Sequence, residues 1–372
     1  MEKQRNSPDM IDLMVCPGFC VQDNKIIQVN DGAKRLFLSP GMEITSLLLT
    51  GQAEFADLKQ GCLYLKINAA GAARGAVVTA IEDFYVFLID DEQELRQLQI
   101  LALAAQELRI PLSNIMVCAD RISSQSLDPQ SQEYADRLHR GTAQMHRLIG
   151  NMSDALRYTQ GWSAETRNVT ALMQEIMDHA QELARQAGIT LHYQGISEDV
   201  YTLVDTEQLE RAVYNLLSNA LKFTPQGGSI AVCLKKSGKH LYLSILDSGS
   251  GIAQGVRQNI FSRFLRTPSL EDGRYGLGLG LVLVRCAAAN HGGTVLIDQP
   301  AAQGTRVTLT LAIQKSPEAI LRSPRLRVDY AGGTDHGLLE LSESLPFGLY
   351  HKESYRDPKC TAYAVQLFYY FR

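Results

Sequence analysis

The sequence predicts a multidomain α+β chain, and three observations carry that prediction. Short apolar runs broken by turn signals fill residues 1–90, a helical period takes over across 92–160, and helix and strand then alternate across 165–313. The 372 residues suffice for two to three domains, each burying its own core.

In the first region the turn Asp23-Asn24 precedes the strand Lys25-Ile26-Ile27-Gln28-Val29. Ser39-Pro40-Gly41 and Gly61 mark further turns. Cys62 to Ile67 and the apolar run Phe84 to Ile89 read as strands. The continuation Asn30-Asp31-Gly32-Ala33 resembles the strand-then-Asn-x-x-Ala opening of PAS sensory domains. That resemblance implies a PAS-like sensory domain over 1–90 and names no ligand.

From Glu92 the apolar positions step by three and four: Leu98, Leu101, Ala105, Leu108, Leu112, Ile115 and Ala119. After a polar break from Ser123 to Gln130, Tyr134, Leu138, Gly141, Met145, Leu148, Met152 and Ala155 repeat the pattern. Two helices with heptad seams joined by a short loop make an antiparallel hairpin. One hairpin covers its seams poorly, whereas two pair into a four-helix bundle, so a homodimer is expected. Pro111 removes one backbone hydrogen bond and is expected to kink the first helix.

The third region is read as a sandwich of helices on one face of a mixed sheet. Helices are expected at Leu172–Ala187, Thr206–Phe223 and Leu279–Asn290. Strands are expected at Thr190–Tyr193, Ser229–Lys235, His240–Leu246, Thr294–Ile297 and Thr305–Ala312. Residues 314–372 have no assignment beyond a helix candidate, Gly337–Ser344, and an aromatic end, Phe368–Phe371. Packing against the preceding domain is favoured for them over a separate functional element.

Three motifs in this region fall in a fixed order. They are Asn215-Leu-Leu-Ser-Asn219-Ala-Leu-Lys222-Phe223, then Asp247-Ser-Gly249-Ser-Gly251-Ile252, then Gly276-Leu277-Gly278-Leu279-Gly280. In order and spacing they resemble the N, G1 and G2 boxes of the GHKL-type ATP-binding domain of sensor histidine kinases. His291-Gly292-Gly293 comes after the last helix as it does in that family. The upstream hairpin separates histidine kinases from the other GHKL branches.

The resemblance implies a Mg-ATP site. Asn215 and Asn219, four apart, share a helix face, and amide oxygens are suitable hard ligands for Mg²⁺. By resemblance Asn219 is the Mg²⁺ ligand and Asn215 its neighbour. Lys222 would meet phosphate as a point charge, and Phe223 would present a ring to adenine. Asp247 would accept the adenine amino hydrogens, and Gly249 and Gly251 would let the backbone turn close beneath the ring. Arg266 matches a basic residue that contacts phosphate, and Thr267–Tyr275 matches a mobile lid. The glycines at 276, 278 and 280 open a helix whose N-terminus faces phosphate.

The hairpin carries a departure. Ala105-Gln106-Glu107-Leu108-Arg109-Ile110-Pro111 resembles the family's H-box, with glutamine where the phospho-accepting histidine belongs. An amide has no useful basicity near neutral pH, so Gln106 cannot act as the usual nucleophile. Glu107 retains the box's acid. Four residues on, where the family uses Thr or Asn to position a hydrolytic water, stands Ile110. The double change favours natural divergence over a single engineered replacement. His139 and His146, each one step past a seam residue, are alternative acceptors; the plainer reading puts them on a solvated helix edge.

Two functions are compatible with these residues. One is a sensor histidine kinase that phosphorylates a histidine on a partner or an unconventional residue on itself. The other is an ATP-binding pseudokinase that regulates a partner kinase or a response regulator without phosphoryl transfer.

The formal net charge of -4 gives no electrostatic reason to expect nucleic acid. Seven scattered cysteines read as reduced thiols, Cys16 and Cys20 included, rather than a metal or redox pair. No uninterrupted apolar run approaches about 18 residues and the N-terminus lacks a signal-peptide core, so no membrane span and a cytoplasmic location are expected.

Overall fold

The structure is a computed structural model that describes residues 16–81, 83–90, 92–252, 278–300, 304–314 and 330–351. The N-terminal region builds β1 (Gly18–Gln22), β2 (Lys25–Val29), α1 (Asp31–Arg35), α2 (Gln52–Asp57), β3 (Cys62–Ala69), β4 (Ala72–Ile81) and β5 (Phe84–Ile89). Its strands are antiparallel in the order β2-β1-β5-β4-β3. Asn30 explains the Asn-x-x-Ala spacing: its Oδ1 accepts from Ala33 N at 2.9 Å, capping α1, and from Gly18 N at 3.0 Å. Its Nδ2 donates to Cys16 O at 2.8 Å. Cys20 is buried in β1, and burial pushes its thiol up to about 11.

The hairpin consists of α3 (Glu92–Ser123) and α4 (Pro129–Arg157). Asp128 caps α4 by accepting from Gln130 N and Ser131 N, with Pro129 at the first helical position. The helical assignment of α3 runs through Pro111 without a break. Only half of each seam is covered. Leu98, Ala105, Leu112 and Ala119 are buried, whereas Leu108 and Ile115 are exposed, as are Tyr134, Leu138 and Met145 on α4. The Arg96–Ser123 part of α3 is long and apolar enough, by length and composition, to cross a membrane, which an unbroken-run criterion misses. Here it packs along α4, bonding through Arg109 Nη2 to Ser153 Oγ at 3.0 Å.

The third region places α5 (Val169–Gln186), α6 (Thr206–Phe223) and α7 (Gly280–Asn290) against β7 (Thr190–Gln194), β9 (Ser229–Ser237), β10 (His240–Asp247), β11 (Val295–Asp298) and β12 (Arg306–Ala312). Alternation is strict where it matters: Ile230, Val232 and Leu234 of β9 and Leu241, Leu243 and Ile245 of β10 form the buried face beneath α5 and α6. The expected elements are present with ends shifted by a few residues. A two-stranded ribbon, β6 (Glu165–Asn168) with β8 (Tyr201–Val204), was not foreseen.

The strand order also joins what the sequence separates. One sheet runs β2-β1-β5-β4-β3-β11-β12-β10-β9-β7, with Cys62 to Tyr64 paired antiparallel to Val295–Ile297. Side chains reinforce the seam: Lys66 Nζ donates to Ala289 O at 2.9 Å, and Gln60 Nε2 donates to Gln299 O at 3.3 Å.

The C-terminal segment forms a short helix, α8 (His336–Glu340), and a 3-10 turn at Phe347–Tyr350. Leu338, Leu339, Leu341, Leu345 and Tyr350 are buried in the same core as α5 and α6. The expected packing is therefore present. Against expectation, the segment also lies along α4 of the hairpin. The aromatic end, Phe368–Phe371, lies outside the described residues.

Candidate nucleotide site and acceptor position

The site grows from the cap of α6. Asp205 Oδ1 accepts from Gln208 N at 3.2 Å and its Oδ2 from Ser163 N at 2.8 Å, fixing where the helix begins. Behind it, His291 Nε2 accepts from Asp205 N at 3.1 Å, so the ring's proton sits on Nδ1 and points at Ala287 O, 2.7 Å away. Burial holds the His291 pKa below its ordinary value. This explains the His-Gly-Gly motif as a strut that ties the end of α7 to the start of α6.

Two turns along α6, Asn215 is buried. Its Nδ2 donates to Arg211 O at 2.8 Å, and its Oδ1 accepts from Arg147 Nη2 of the hairpin at 3.3 Å. The same oxygen would stand 2.9 Å from a Cβ at position 280, so any larger residue there would have to push the Asn215 side chain aside. Asn219, one turn on, is half-buried. Lys222 Nζ lies 5.8 Å from the Phe223 ring centroid and 3.6 Å from Glu343 Oε2 of the C-terminal segment. Phe223 is 52% exposed, so its side chain reaches the surface beside Lys222.

Asp247 continues the inward row of Leu241, Leu243 and Ile245, which carries a carboxylate to the buried end of β10 beside α6. Its Oδ1 accepts from Gly249 N at 2.8 Å and from Thr305 N at 3.2 Å. Desolvation raises its pKa above the ordinary carboxylate value, with those bonds pulling the other way. A Cβ at 249 would meet Phe223 O at 2.5 Å, so this turn closes on the end of α6 only as glycine. Ile252 packs half-buried against the core. Leu279 is buried against the hairpin with Val282 and Leu283, and Gly278 before it has a left-handed φ of 70°. Arg266, the lid, Gly276 and Leu277 lie outside the described residues.

These residues fit Mg-ATP by their chemistry. Amide oxygens suit a hard cation, a lysine suits phosphate, and a buried carboxylate beside close-approach glycines suits an amino-purine edge.

On α3, Gln106 and Glu107 are exposed, and Ile110 is 72% exposed. His139, placed on a solvated edge by the sequence reading, is buried instead, with its Nε2 2.8 Å from Ser123 Oγ. Enclosure within the hairpin removes it as a surface acceptor. Thr142, one turn on, is buried on the same face, and its Oγ1 donates to His139 O at 2.8 Å.

Comparison with known proteins agrees with this geometry. Residues 204–315 match the family described as histidine kinase-, DNA gyrase B- and HSP90-like ATPase, and residues 96–161 match the His Kinase A (phospho-acceptor) domain. The sensor-like histidine kinase SenX3 of Mycolicibacterium smegmatis is 28% identical over 294 residues, covering 72% of this chain and 73% of that protein. The sensor histidine kinase RppB of Synechocystis is 31% identical, covering 60% of this chain and 50% of RppB. The chain covers 24% of the sensor protein KdpD of Clostridium acetobutylicum, at 27% identity. A full-length crystal structure of ShkA in complex with AMPPNP aligns at a TM-score of 0.48 and 23% identity, over 59% of this chain and 47% of that one.

The fold and site define a GHKL-superfamily ATPase domain joined to a phospho-acceptor-type hairpin. The chain belongs to the sensor histidine kinases, and by family it is a protein-histidine kinase of two-component signalling.

Proposed function

We propose that the chain binds Mg-ATP between α6, the end of β10 and the start of α7, and that it passes phosphate to a partner rather than to its own H-box. The observation that carries this reading is a gathered set of nucleotide-type side chains beside a hairpin whose acceptor position is an amide. Mg-ATP, when bound, supplies the phosphoryl group. Asn219 holds the cation, Lys222 neutralises phosphate charge, Asp247 fixes the base, and Phe223 covers one face of it. Asn215 keeps α6 and α7 in register rather than opening toward a ligand. Glu107 retains the acid that would orient a histidine at position 106.

The PAS-like reading of residues 16–90 is supported by the Asn30 cap and by the sheet order β2-β1-β5-β4-β3. Homodimerisation is supported by the uncovered half-seams on α3 and α4. A cytoplasmic location is favoured by the described cysteines, which form no disulfide with one another. A response regulator or a partner histidine kinase is the protein acted on.

Gln106 together with Ile110 favours a second reading, in which ATP acts only as an allosteric ligand of a pseudokinase. Incubation with γ-labelled ATP and Mg²⁺ separates the two, using the native protein, Asn219→Ala and Gln106→His. Label on Gln106→His alone supports a working ATP engine without its own target. Label on no protein, a partner histidine domain included, favours the pseudokinase. Unchanged ATP affinity in Asn219→Ala removes the cation-ligand assignment.

A further inference from the structure

The C-terminal segment is divided by chemistry. Its apolar side chains lie in the core shared with α5 and α6, while its polar edge grips the hairpin. Arg140 donates from Nε to Ser342 O at 3.1 Å and from Nη2 to Glu343 O at 3.2 Å. Gln144 Nε2 donates to Ser342 O at 3.0 Å, and the Arg137 guanidinium stands 4.7 Å from the Phe347 ring centroid. His351 Nδ1 is 3.3 Å from Asp136 Oδ1 at the far end. Three successive turns of α4, from Asp136 to Gln144, are held by one short segment.

The centre of this contact is charged and buried. Glu340, with 0% of its side chain exposed, receives Arg147 Nε at 3.2 Å and Arg211 Nε at 2.8 Å. Glu343 is shared between the hairpin and the nucleotide site. Its Oε1 lies 3.1 Å from Arg147 Nη1, and its Oε2 lies 3.6 Å from Lys222 Nζ.

We infer that residues 330–351 are a nucleotide-sensitive latch, in which the Glu343 carboxylate occupies Lys222 in place of a nucleotide phosphate and thereby holds the ATP-binding domain on the hairpin. The inference rests on the ATP-site reading of Lys222. A carboxylate and a phosphate oxygen compete for one ammonium group, so a phosphate that takes Lys222 leaves Glu343 with Arg147 alone. By linkage, whatever loosens the latch strengthens nucleotide binding by the same factor. The device accounts for a segment that lies beyond the matched ATPase region, which ends at residue 315.

The test uses the full chain with a fluorescent ATP analogue and Mg²⁺, read by equilibrium binding and by hydrogen exchange. Glu343→Gln keeps the side chain's size and removes its charge; its affinity is expected to rise about fivefold or more. Arg140→Ala touches the latch without touching the nucleotide site, and its affinity is expected to rise in the same direction. In the native protein, saturating Mg-ATP is expected to speed amide exchange in residues 341–351.

Equal affinity in native, Glu343→Gln and Arg140→Ala proteins, with Asn219→Ala failing to bind, would overturn the latch and leave the ATP site standing. Binding to none of the proteins, Glu343→Gln included, would overturn both. Slower or unchanged exchange in 341–351 on nucleotide addition would also sink the latch.

Discussion

Arg285, buried in α7, ion-pairs through Nη1 with Asp90 Oδ1 at 3.0 Å, and Asp90 is the joint between β5 and the first hairpin helix. Tyr64 of β3 donates to the other oxygen of Asp90 at 3.0 Å, and the guanidinium stands 5.2 Å from the Tyr64 ring centroid. Three regions of the chain meet at that carboxylate. The N-terminal sheet is thus bonded to the joint, and the same guanidinium ties both to the helix that opens at Gly280.

Arg285→Ala is expected to cost about 1.5–3 kcal/mol, the range for hydrogen bonds to charged groups. The loss should concentrate at the interdomain seam. Hydrogen exchange at Leu63 and Leu296, paired across β3 and β11, should quicken more than exchange within β9 and β10. Uniform quickening throughout the chain would contradict a local role.

Glu340→Gln keeps the shape of the buried side chain and leaves two buried guanidiniums short of one carboxylate. Breaking a buried pair costs about 3–5 kcal/mol. The lower end is expected, because Asp154 still pairs with Arg211 and Glu343 with Arg147. The denaturant midpoint reports it, and an unchanged midpoint would mean that Glu340 carries no net stabilisation.

His291 titrates below its ordinary value of 6.5 because burial disfavours the charged ring. The unfolded chain thus takes up the proton first. The ring's stabilising effect is complete above about pH 6.5 and is lost as pH falls toward the lowered folded value. The native protein should lose stability more steeply than His291→Gln between pH 7 and pH 5. Parallel pH curves for the two proteins would refute this.

Leu108 and Ile115 are exposed within one chain and fall on the uncovered half-seam. Leu108→Glu with Ile115→Glu should leave the single hairpin's stability within about 0.5 kcal/mol, as for other surface changes. The pair should convert the proposed homodimer to monomer at micromolar concentration, read by analytical ultracentrifugation. A persisting dimer would place its interface elsewhere.

Much of the fold was legible because periodicity and capping are local. The turn before Lys25, the three-and-four stepping of the hairpin and the helix ending at Phe223 can each be read from a short stretch of sequence. The N box was equally plain, since Asn215, Asn219 and Lys222 lie on one helix. Three features were not legible, and each depends on distant partners. Cys62 to Tyr64 find their neighbours at Val295–Ile297, Glu340 finds its arginines on α4 and α6, and His139 is enclosed by Ser123 across the hairpin. Single-chain spacing carries no signal for such pairings. Asn215 shows both kinds of partner: its bond to Arg211 O lies within its own helix, whereas its bond from Arg147 crosses from the hairpin and leaves no mark in local spacing.

The junction between β3 and β11 also has a bearing on solubility. An open strand edge offers a row of unsatisfied amides and carbonyls to any passing chain. Here each sheet caps the other's edge, so neither β3, with its buried Leu63 and Leu65, nor β11, with Val295 and Ile297, ends in water. Cutting the chain between residues 90 and 92 to isolate either half would expose both rows at once. Fragments made that way carry an aggregation hazard that the intact molecule avoids by pairing β3 of its first region with β11 of its third.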